Sequence, residues 1–423
     1  MNNRHFKITF SLLLISIYSL LFFTVLNYPS KQDFTSFYSA LLSLKNHESP
    51  YGTLYSNFLP LAKKLTPNLN PPTALWIFSP LTYFSYHTAL LIWVTLSFTL
   101  GLIGAWIAFY YTFSIKFIKK YRVILFALYL AFFPTMINTV LAQFGSFLLF
   151  LLIVGYHFFL SNRHFIAGIC WGLCVALKFF PALLFFFLFK QRRMNTFITV
   201  AISFFLFSLI PLLIYGVEIY SQYFLLLKRV FWYGDNWNAS LYGYIFRLFG
   251  YHNKPYLEIA FPALFFILLI WYFLNLHPYK TERINHQPFC LTLAMMLLIS
   301  PFGWLYYFPI LVFPLALIWA NAVQEKTLTN KTMLLWLFCL FLINLPQGYV
   351  ITGNMQNFAV RLLPSSFYFY GLVLLNYLLM KKTTFSGNNE IELEHSEYQF
   401  LYILFFIFLF AAVITPLKII LTG

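Results

Sequence analysis

Long apolar runs, most of them ending at a small cluster of Lys and Arg, recur along the 423-residue chain. An α-helix needs about 20 apolar residues to cross a bilayer. The composition agrees, because 61% of the residues are hydrophobic and only 9% are charged, whereas soluble domains carry roughly a quarter charged residues. The sequence therefore predicts an all-α, polytopic integral membrane protein.

The basic residues and the cysteines exclude several other classes of protein. The net charge of +16 comes from clusters at the ends of apolar runs and not from one basic stripe, so it indicates membrane topology and no nucleic-acid partner. The four cysteines lie inside apolar runs without a CxxC motif, which predicts neither a metal site nor a disulfide. The first run has no small-residue cleavage site, and we expect a retained span.

Cytoplasmic loops are enriched in Lys and Arg, and this rule orients the runs. With the amino terminus inside, we predict about 11 crossings. The apolar runs are 10–26, one that ends before Lys116, 122–138, one that ends before Arg163, 194–215, 257–276, 289–320 out and back, 332–346, 364–380 and 399–416. Loops 28–86 and 216–255 lie outside in this scheme, and residues 381–423 form a polar inner loop and a final span.

The apolar block 164–189 has basic residues at both ends, and Lys178 and Pro181 interrupt its middle. A single crossing would put the second basic cluster outside. A re-entrant helical hairpin that folds back at this break leaves both clusters inside. Such a break at membrane depth is tolerated where it is packed in protein or lines a cavity, so we predict the hairpin.

Asp33 has the position best suited to chemistry at the outer membrane surface. It follows the first span by one or two helical turns, and Phe34, Phe37 and Tyr38 recur after it at helical spacing. This pattern predicts an interfacial helix with its apolar face in the membrane, which would hold the carboxylate at the depth of a lipid headgroup. The alternative is an Asp that only caps the helix.

Lys178 is the second residue of interest, because a lysine in an apolar block is unfavourable in lipid. It must face a cavity, a phosphate or the protein interior, or else snorkel to the surface. The other outer segments carry amides, hydroxyls and aromatic rings, which sugar sites and interfacial aromatic belts both use. The candidates are Asn70, Gln143, Asn238, Ser240, Trp304, Tyr306 and Tyr307.

Seven segments follow one another along the chain: DFTSFYSA, PYGTLY, NPPTALWIFSPL, AQFGSFLLFLL, FIAGICWGLCVALKFFPALLFFFLFKQRR, NASLYGYIFRL and ISPFGWLYYFPILVFPL. Over about residues 7–380 this series resembles glycosyltransferase family 87, the polyprenyl-phosphate-dependent membrane enzymes of the GT-C fold. That family includes a mannosyltransferase acting on phosphatidylinositol mannosides. The resemblance implies a GT-C-like catalytic domain over residues 1–380.

The resemblance also implies a reaction and its site. A hexose, mannose in the first place, would leave a polyprenyl phosphate with inversion and move to a lipid or glycan acceptor. Asp33 matches the first-loop aspartate of the family, which implies the general base, and Lys178, Arg247 and Arg361 would bind the donor phosphate. We expect the amide, hydroxyl and aromatic candidates to bind the sugars. No cofactor is implied, and a need for a divalent metal stays open.

One departure concerns Tyr306 and Tyr307, which stand where the family commonly has histidine after its SPxxW segment. A tyrosine of ordinary pKa cannot act as a base at neutral pH, so Asp33 is expected to carry that role by itself. The partners implied are membrane lipids, the lipid-linked donor and a glycolipid or glycan acceptor. The expected location is the inner (plasma) membrane, with the site facing the periplasm or the exterior.

Two other classes stay open at this point. A transporter or flippase of a lipid-linked sugar would typically show internal repeats and charged residues deep in several spans, and only Lys178 fits that description. A scaffold subunit would not need Asp33. Loss of transfer on replacement of Asp33 by Asn, with folding intact, would favour the enzyme over both.

Overall fold

The computed structural model describes residues 3–27, 33–60, 62–229, 232–250, 254–278, 285–324, 331–351, 357–381, 393 and 395–422. Within these residues the secondary structure is helical and no β-strand forms. Two isolated β-bridges join Tyr55 to Lys64 and Asn238 to Trp304. The all-α prediction is confirmed for this part of the chain.

The helices follow the predicted apolar runs, and prolines in the first turn start several of them. Their bounds are α1 Asn3–Asn27, α2 Asp33–Lys45, α3 Pro72–Phe78, α4 Tyr86–Thr112, α5 Ile115–Leu130, α6 Phe133–Val140, α7 Gly145–Leu160, α8 His164–Leu177, α9 Leu184–Lys190, α10 Met194–Tyr215, α11 Glu218–Arg229, α12 Leu241–Phe249, α13 Lys254–Asn275, α14 Gln287–Ile299, α15 Val312–Gln324, α16 Lys331–Asn344, α17 Phe358–Leu362, α18 Phe367–Met380 and α19 His395–Thr422.

Six segments of the described chain are long and apolar enough to cross a membrane, and a seventh is added if α5 and α6, bent by 58° at their junction, form one span. They are Lys7–Asn27, Tyr86–Thr112, Met194–Tyr215, Tyr256–Asn275, Leu305–Val323 and Phe358–Met380. The other predicted crossings are shorter apolar helices, such as α7 and α16. The count of about 11 crossings is therefore not confirmed and stays a prediction.

The block 164–189 folds into two helices with a break between them. Helix α8 ends at Leu177, Lys178 has extended backbone, and a 3-10 turn over Phe180–Leu183 leads into α9. Just beyond the two ends of the block, Arg193 donates a hydrogen bond to the side-chain oxygen of Asn162 at 2.9 Å. The basic residues that flank the block therefore lie close together at one end of the molecule, as the hairpin predicts.

Helix α8 packs closely on α10 because of two glycines spaced four residues apart. A Cβ at Gly168 would lie 2.4 Å from the Thr199 side chain, and one at Gly172 would lie 2.5 Å from that of Ser203. Small residues at this spacing let two helix backbones approach each other in a membrane. The close pair holds the hairpin against the adjacent long span.

Contacts between helix termini define one end of the bundle. Lys7 donates to the carbonyl of Lys120 at 3.2 Å, and the Gln287 amide donates to the carbonyl of Lys381 at 2.7 Å. We call this the basic end, because it collects the ends of helices that the charge pattern assigned to one side. The break at Lys178 and the start of α2 lie toward the opposite end, which contains the candidate site.

Helices α14 and α15 form the centre, and every residue of α14 is buried. By contrast, α10 and α13 expose apolar side chains such as Phe205 and Ile259 along most of their length. Exposed apolar stretches of this size mark a surface that meets another apolar phase. The final helix α19 packs against α1 through the rings of Phe10 and Tyr402, 5.6 Å apart. Most of the predicted polar inner loop lies outside the described residues.

Helix α2 corrects one prediction. Phe34, Phe37 and Tyr38 are each less than 5% exposed, so their rings do not lie in the membrane. They contact other rings of the protein instead: Phe37 meets Phe144 at 5.6 Å, and Tyr38 meets Phe58 at 5.1 Å. The periodicity was typical of a buried face, and packing against protein aromatics fixes the helix and hence Asp33.

Candidate functional site

A cavity of about 760 Å³ lies among the start of α2, the turn before α7, the break after α8 and the segment 299–307. The sequence-predicted residues that the structure brings together in its wall are Asp33, Asn70, Gln143, Lys178, Trp304, Tyr306 and Tyr307. They come from distant parts of the chain. Their roles in binding and catalysis stay predictions, but their common location is a property of the fold.

Asp33 is the first residue of α2 and is partly buried in the cavity wall. The Gln143 side chain donates a hydrogen bond from Nε2 to Asp33 Oδ2 at 2.5 Å. This contact fixes the orientation of the carboxylate. A carboxylate of fixed geometry at the edge of a cavity is suited to accept a proton from a bound hydroxyl.

The turn that carries Gln143 is itself rigid. Ala142 has a positive φ of 49°, and its carbonyl accepts a hydrogen bond from Trp93 Nε1 at 2.7 Å. Gly145 follows, and a Cβ at this position would lie 1.9 Å from the carbonyl oxygen of Tyr306. The glycine of the AQFGS motif is required because the SPFGWLYY segment passes directly against it.

Lys178 occupies the break between α8 and the 3-10 turn. Its Nζ lies 5.6 Å from the centroid of the Phe144 ring and 5.5 Å from that of Tyr307. At these distances the ring faces attract the ammonium group electrostatically. The lysine is therefore held at the cavity, between two aromatic walls and in electrostatic range of Asp33.

Both charged groups lie outside the candidate spans, and burial shifts the pKa of each toward its neutral form. Burial raises the pKa of Asp33 above its usual value, while the hydrogen bond from Gln143 and the charge of Lys178 oppose the rise. Burial lowers the pKa of Lys178 to about 7, against the opposing attraction of Asp33. Partly desolvated acids and bases in one cavity are typical of functional sites.

Asn238 and Ser240 are fully buried and hold a loop in place instead of lining the cavity. The Asn238 amide donates to the carbonyls of Tyr233 and Pro301 at 2.8 and 2.9 Å. The Ser240 hydroxyl accepts from the backbone N–H of Gly243 at 3.0 Å and so caps α12. The structure places these two predicted sugar ligands behind the wall, where they position the segment that contains Trp304.

Arg247 and Arg361 are likewise not part of the cavity wall. Arg247 is 1% exposed, and its guanidinium donates to the carbonyls of Asp235 and Asn238, both at 2.9 Å, and to the Ser366 hydroxyl. Arg361 lies on α17, near the Phe358 ring. The phosphate-binding role of these two arginines stays a prediction. In the structure, loop carbonyls accept hydrogen bonds from Arg247, and Arg361 lies on α17 outside the cavity wall.

Several cavity residues were missed by the sequence analysis. Asn68 accepts a hydrogen bond from the Asn70 side chain at 2.7 Å, and Ser36 and Thr66 share a hydrogen bond at 2.9 Å. Asn68 had a signal, since it belongs to the same NLN motif as Asn70. Tyr349 also lines the cavity, and it lies in a loop that has no motif to mark it.

The part of the chain described by the structure has no group of three or more His, Cys, Asp or Glu side chains placed to hold a metal ion. The charged chemistry of the cavity wall described above is supplied by Asp33 and Lys178. This arrangement can take a proton from one bound group and stabilise a developing negative charge on another.

One comparison with known proteins assigns the chain to a family of transferases. Neither the curated proteins nor the solved structures gave a match. The family model described as Glycosyltransferase family 87 matches residues 68–301, more than half of the chain. The matched segment includes Gln143 and Lys178 from the cavity wall. The chain is a member of glycosyltransferase family 87, and its apolar helices belong to a membrane glycosyltransferase.

Proposed function

We propose that this glycosyltransferase moves a hexose, with mannose as the first candidate, from a polyprenyl phosphate to a hydroxyl of a lipid or glycan acceptor. The observation that carries the proposal is the cavity in which Gln143 fixes the Asp33 carboxylate and Lys178 stands nearby. It combines a base for the acceptor with a cation for the leaving phosphate. Family membership supplies the transferase class, and the donor, the sugar and the stereochemistry are our inference.

In the proposed reaction Asp33 accepts the proton of the acceptor hydroxyl as its oxygen attacks the anomeric carbon. The bond between that carbon and the phosphate oxygen breaks, and its electron pair leaves with the polyprenyl phosphate. Attack from the side opposite the leaving group inverts the anomeric centre. A base whose pKa is raised toward the working pH is more effective at this step, and burial raises the pKa of Asp33.

Lys178 is proposed to bind the departing phosphate. Charge develops on that phosphate in the transition state, and a cation preorganised in a partly desolvated site stabilises it more than one in water. The aromatic walls of Phe144 and Tyr307 hold the ammonium group in place before substrate arrives. A bound phosphate would also raise the pKa of Lys178 from about 7 and keep it charged.

An apolar groove next to the cavity is an argument for a donor with an isoprenoid chain. The groove has a volume of about 490 Å³ and is lined by phenylalanines and aliphatic side chains of α9, α10 and α13. Phe186 and Leu269 line both the groove and the cavity. A lipid whose phosphate meets Lys178 would therefore find a continuous apolar path along helices whose outer faces are themselves apolar.

We place the reaction at the outer face of the plasma membrane, or the inner membrane of a two-membrane cell. The cavity lies at the end of the bundle opposite the basic end, where Lys7 and Arg193 are found. Basic residues are enriched on the cytoplasmic side of membrane proteins. In this orientation the site faces the periplasm or the exterior.

The experiment that tests the function is transfer from a panel of radiolabelled polyprenyl-phosphate sugars by purified protein, with a membrane lipid and glycan extract as acceptor. A labelled product from one donor supports the proposal and identifies the sugar. Proton NMR of the new linkage then gives its anomeric configuration. Label in no product from folded protein, or retention of configuration, would contradict the proposal.

A further inference from the structure

The non-helical segment 345–351, which follows α16, forms part of the cavity wall through Tyr349 and Ile351. These side chains are 44% and 54% exposed. These two side chains are therefore only partly packed against the rest of the protein. A tyrosine in such a position would move freely unless something held it.

Consecutive residues of a second loop hold this wall. The Asn236 amide donates to the carbonyl of Gly348 at 2.8 Å and its oxygen accepts from the backbone N–H of Val350 at 2.9 Å. Trp237 donates from Nε1 to the carbonyl of Gln347 at 3.0 Å. The backbone N–H of Asn236 also donates to the carbonyl of Val350 at 3.3 Å, so side chains and one backbone contact tether the segment without regular secondary structure.

A further contact that holds this segment involves a buried carboxylate. The Tyr349 hydroxyl donates a hydrogen bond to the carboxylate of Asp235, which is 0% exposed. A hydrogen bond from a hydroxyl to a carboxylate is about twice as strong as one between neutral groups. Burial of a carboxylate is strongly unfavourable unless neighbouring groups compensate it, and the Arg247 guanidinium lies beside it on the Asp235 carbonyl.

The hydrogen bond to Asp235 determines whether the Tyr349 hydroxyl can donate to a ligand or only accept from it. Its proton is directed at Asp235, so the phenolic oxygen has only lone pairs left and can accept, but not donate, a further hydrogen bond. The neighbouring carboxylate polarises the hydroxyl and makes its oxygen a better acceptor. The Tyr349 hydroxyl is also in electrostatic range of Tyr306, on the inner side of the cavity.

We infer that Asp235 is a positioning residue that fixes Tyr349 as a hydrogen-bond acceptor for one hydroxyl of the sugar bound in the cavity. The inference rests on the proposed function for the identity of the ligand, but the Asp235–Tyr349 tether does not. A sugar that lacks this hydroxyl, or carries a substituent there, would be discriminated against. Tyr349 is thus a specificity determinant of the site.

The tether is tested by hydrogen–deuterium exchange on the full-length protein in nanodiscs. We expect Tyr349→Phe and Asp235→Asn to speed amide exchange in residues 347–350 by roughly tenfold, since each weakens one charge-assisted hydrogen bond. Tyr83→Phe and Glu218→Gln make the same chemical changes at positions outside the cavity wall, and they should leave this exchange unchanged. Unchanged exchange in both tether variants would overturn the inference.

The specificity role is tested with short-chain polyprenyl-phosphate mannose and its monodeoxy analogues. Tyr349→Phe should raise KM by about tenfold and change kcat by less than about twofold, and one deoxy analogue should be insensitive to the substitution. A merely structural role would instead lower kcat equally for all analogues, which would overturn this part. If wild type transfers no mannose while the tether variants still exchange faster, the proposed donor fails and the tether stands.

Discussion

The Gln143 side chain donates a hydrogen bond to the Asp33 carboxylate although the two residues are 110 positions apart in the sequence. The contact joins the first helix after the first span to the rigid turn between α6 and α7. It fixes the proposed base relative to Lys178 on the hairpin.

Replacement of Gln143 by Ala should alter the pH dependence of transfer. The hydrogen bond from Gln143 lowers the pKa of Asp33, so its loss raises that pKa further. Asp33 must be ionised to act as a base, and the acidic limb of the kcat/KM profile should therefore move to higher pH. Gln222→Ala, which removes an amide from the exposed Ser49 contact, is the control, and a limb that does not move relative to it would contradict the assignment.

The alkaline limb of the same profile should report Lys178. Its pKa is lowered to about 7 by burial, and the charged form is the one that stabilises the leaving phosphate. Activity in kcat/KM should therefore fall as pH rises through about 7, and Lys178→Arg should move this limb to higher pH because a guanidinium stays protonated. Lys178→Met should lower kcat by roughly 100-fold or more at the pH values where the wild-type lysine is charged. A Lys178→Met enzyme with wild-type kcat would remove the lysine from the mechanism.

How far the sequence predicted this molecule depends on the range of the interactions concerned. Apolar runs and prolines act locally, so the helices and the break at Lys178 could be read from the chain. Lys178 and Arg247 looked alike in the sequence, as basic residues near apolar segments. They differ because backbone carbonyls from the loop 234–238 surround Arg247, and only the tertiary structure brings that loop to it.

The environment of the aromatic residues of α2 likewise depends on the tertiary structure. Their helical spacing predicted an apolar face correctly, but a lipid surface and a protein surface both satisfy that pattern. The choice depended on Phe58, Phe78 and Phe144, which pack against α2 from elsewhere in the chain. The position of Tyr349 depended on the loop 235–237 in a similar way.

Gly145→Ala should destabilise the protein and lower its activity together. The added Cβ would lie 1.9 Å from the Tyr306 carbonyl oxygen, so the wall of the cavity must shift. Overpacking of this kind costs about 1–3 kcal/mol. Thermal unfolding in detergent should show a lower Tm than for Gly52→Ala, whose added Cβ would make only ordinary contacts. Equal Tm values for the two variants would show that the wall yields freely.

Phe186→Gln should discriminate between donors by chain length. Phe186 lies where the apolar groove meets the cavity, and a polar side chain there disfavours an isoprenoid chain. We expect KM for a long-chain donor to rise about tenfold, with a smaller effect on a donor of two isoprene units. Phe205→Gln changes an exposed ring of α10 outside the groove and serves as the control. Equal effects on both donors would argue against the groove as the tail site.

The central claim is that Asp33 takes the proton of the acceptor, and the most direct measurement compares transfer by wild type, Asp33→Asn and Glu48→Gln. Glu48 is an exposed carboxylate just after α2, so its replacement makes the same chemical change away from the cavity wall. With folding verified by thermal unfolding, we predict that Asp33→Asn lowers kcat by roughly 100- to 10,000-fold and that Glu48→Gln leaves it near wild type. An Asp33→Asn enzyme that transfers sugar at the wild-type rate would contradict the account.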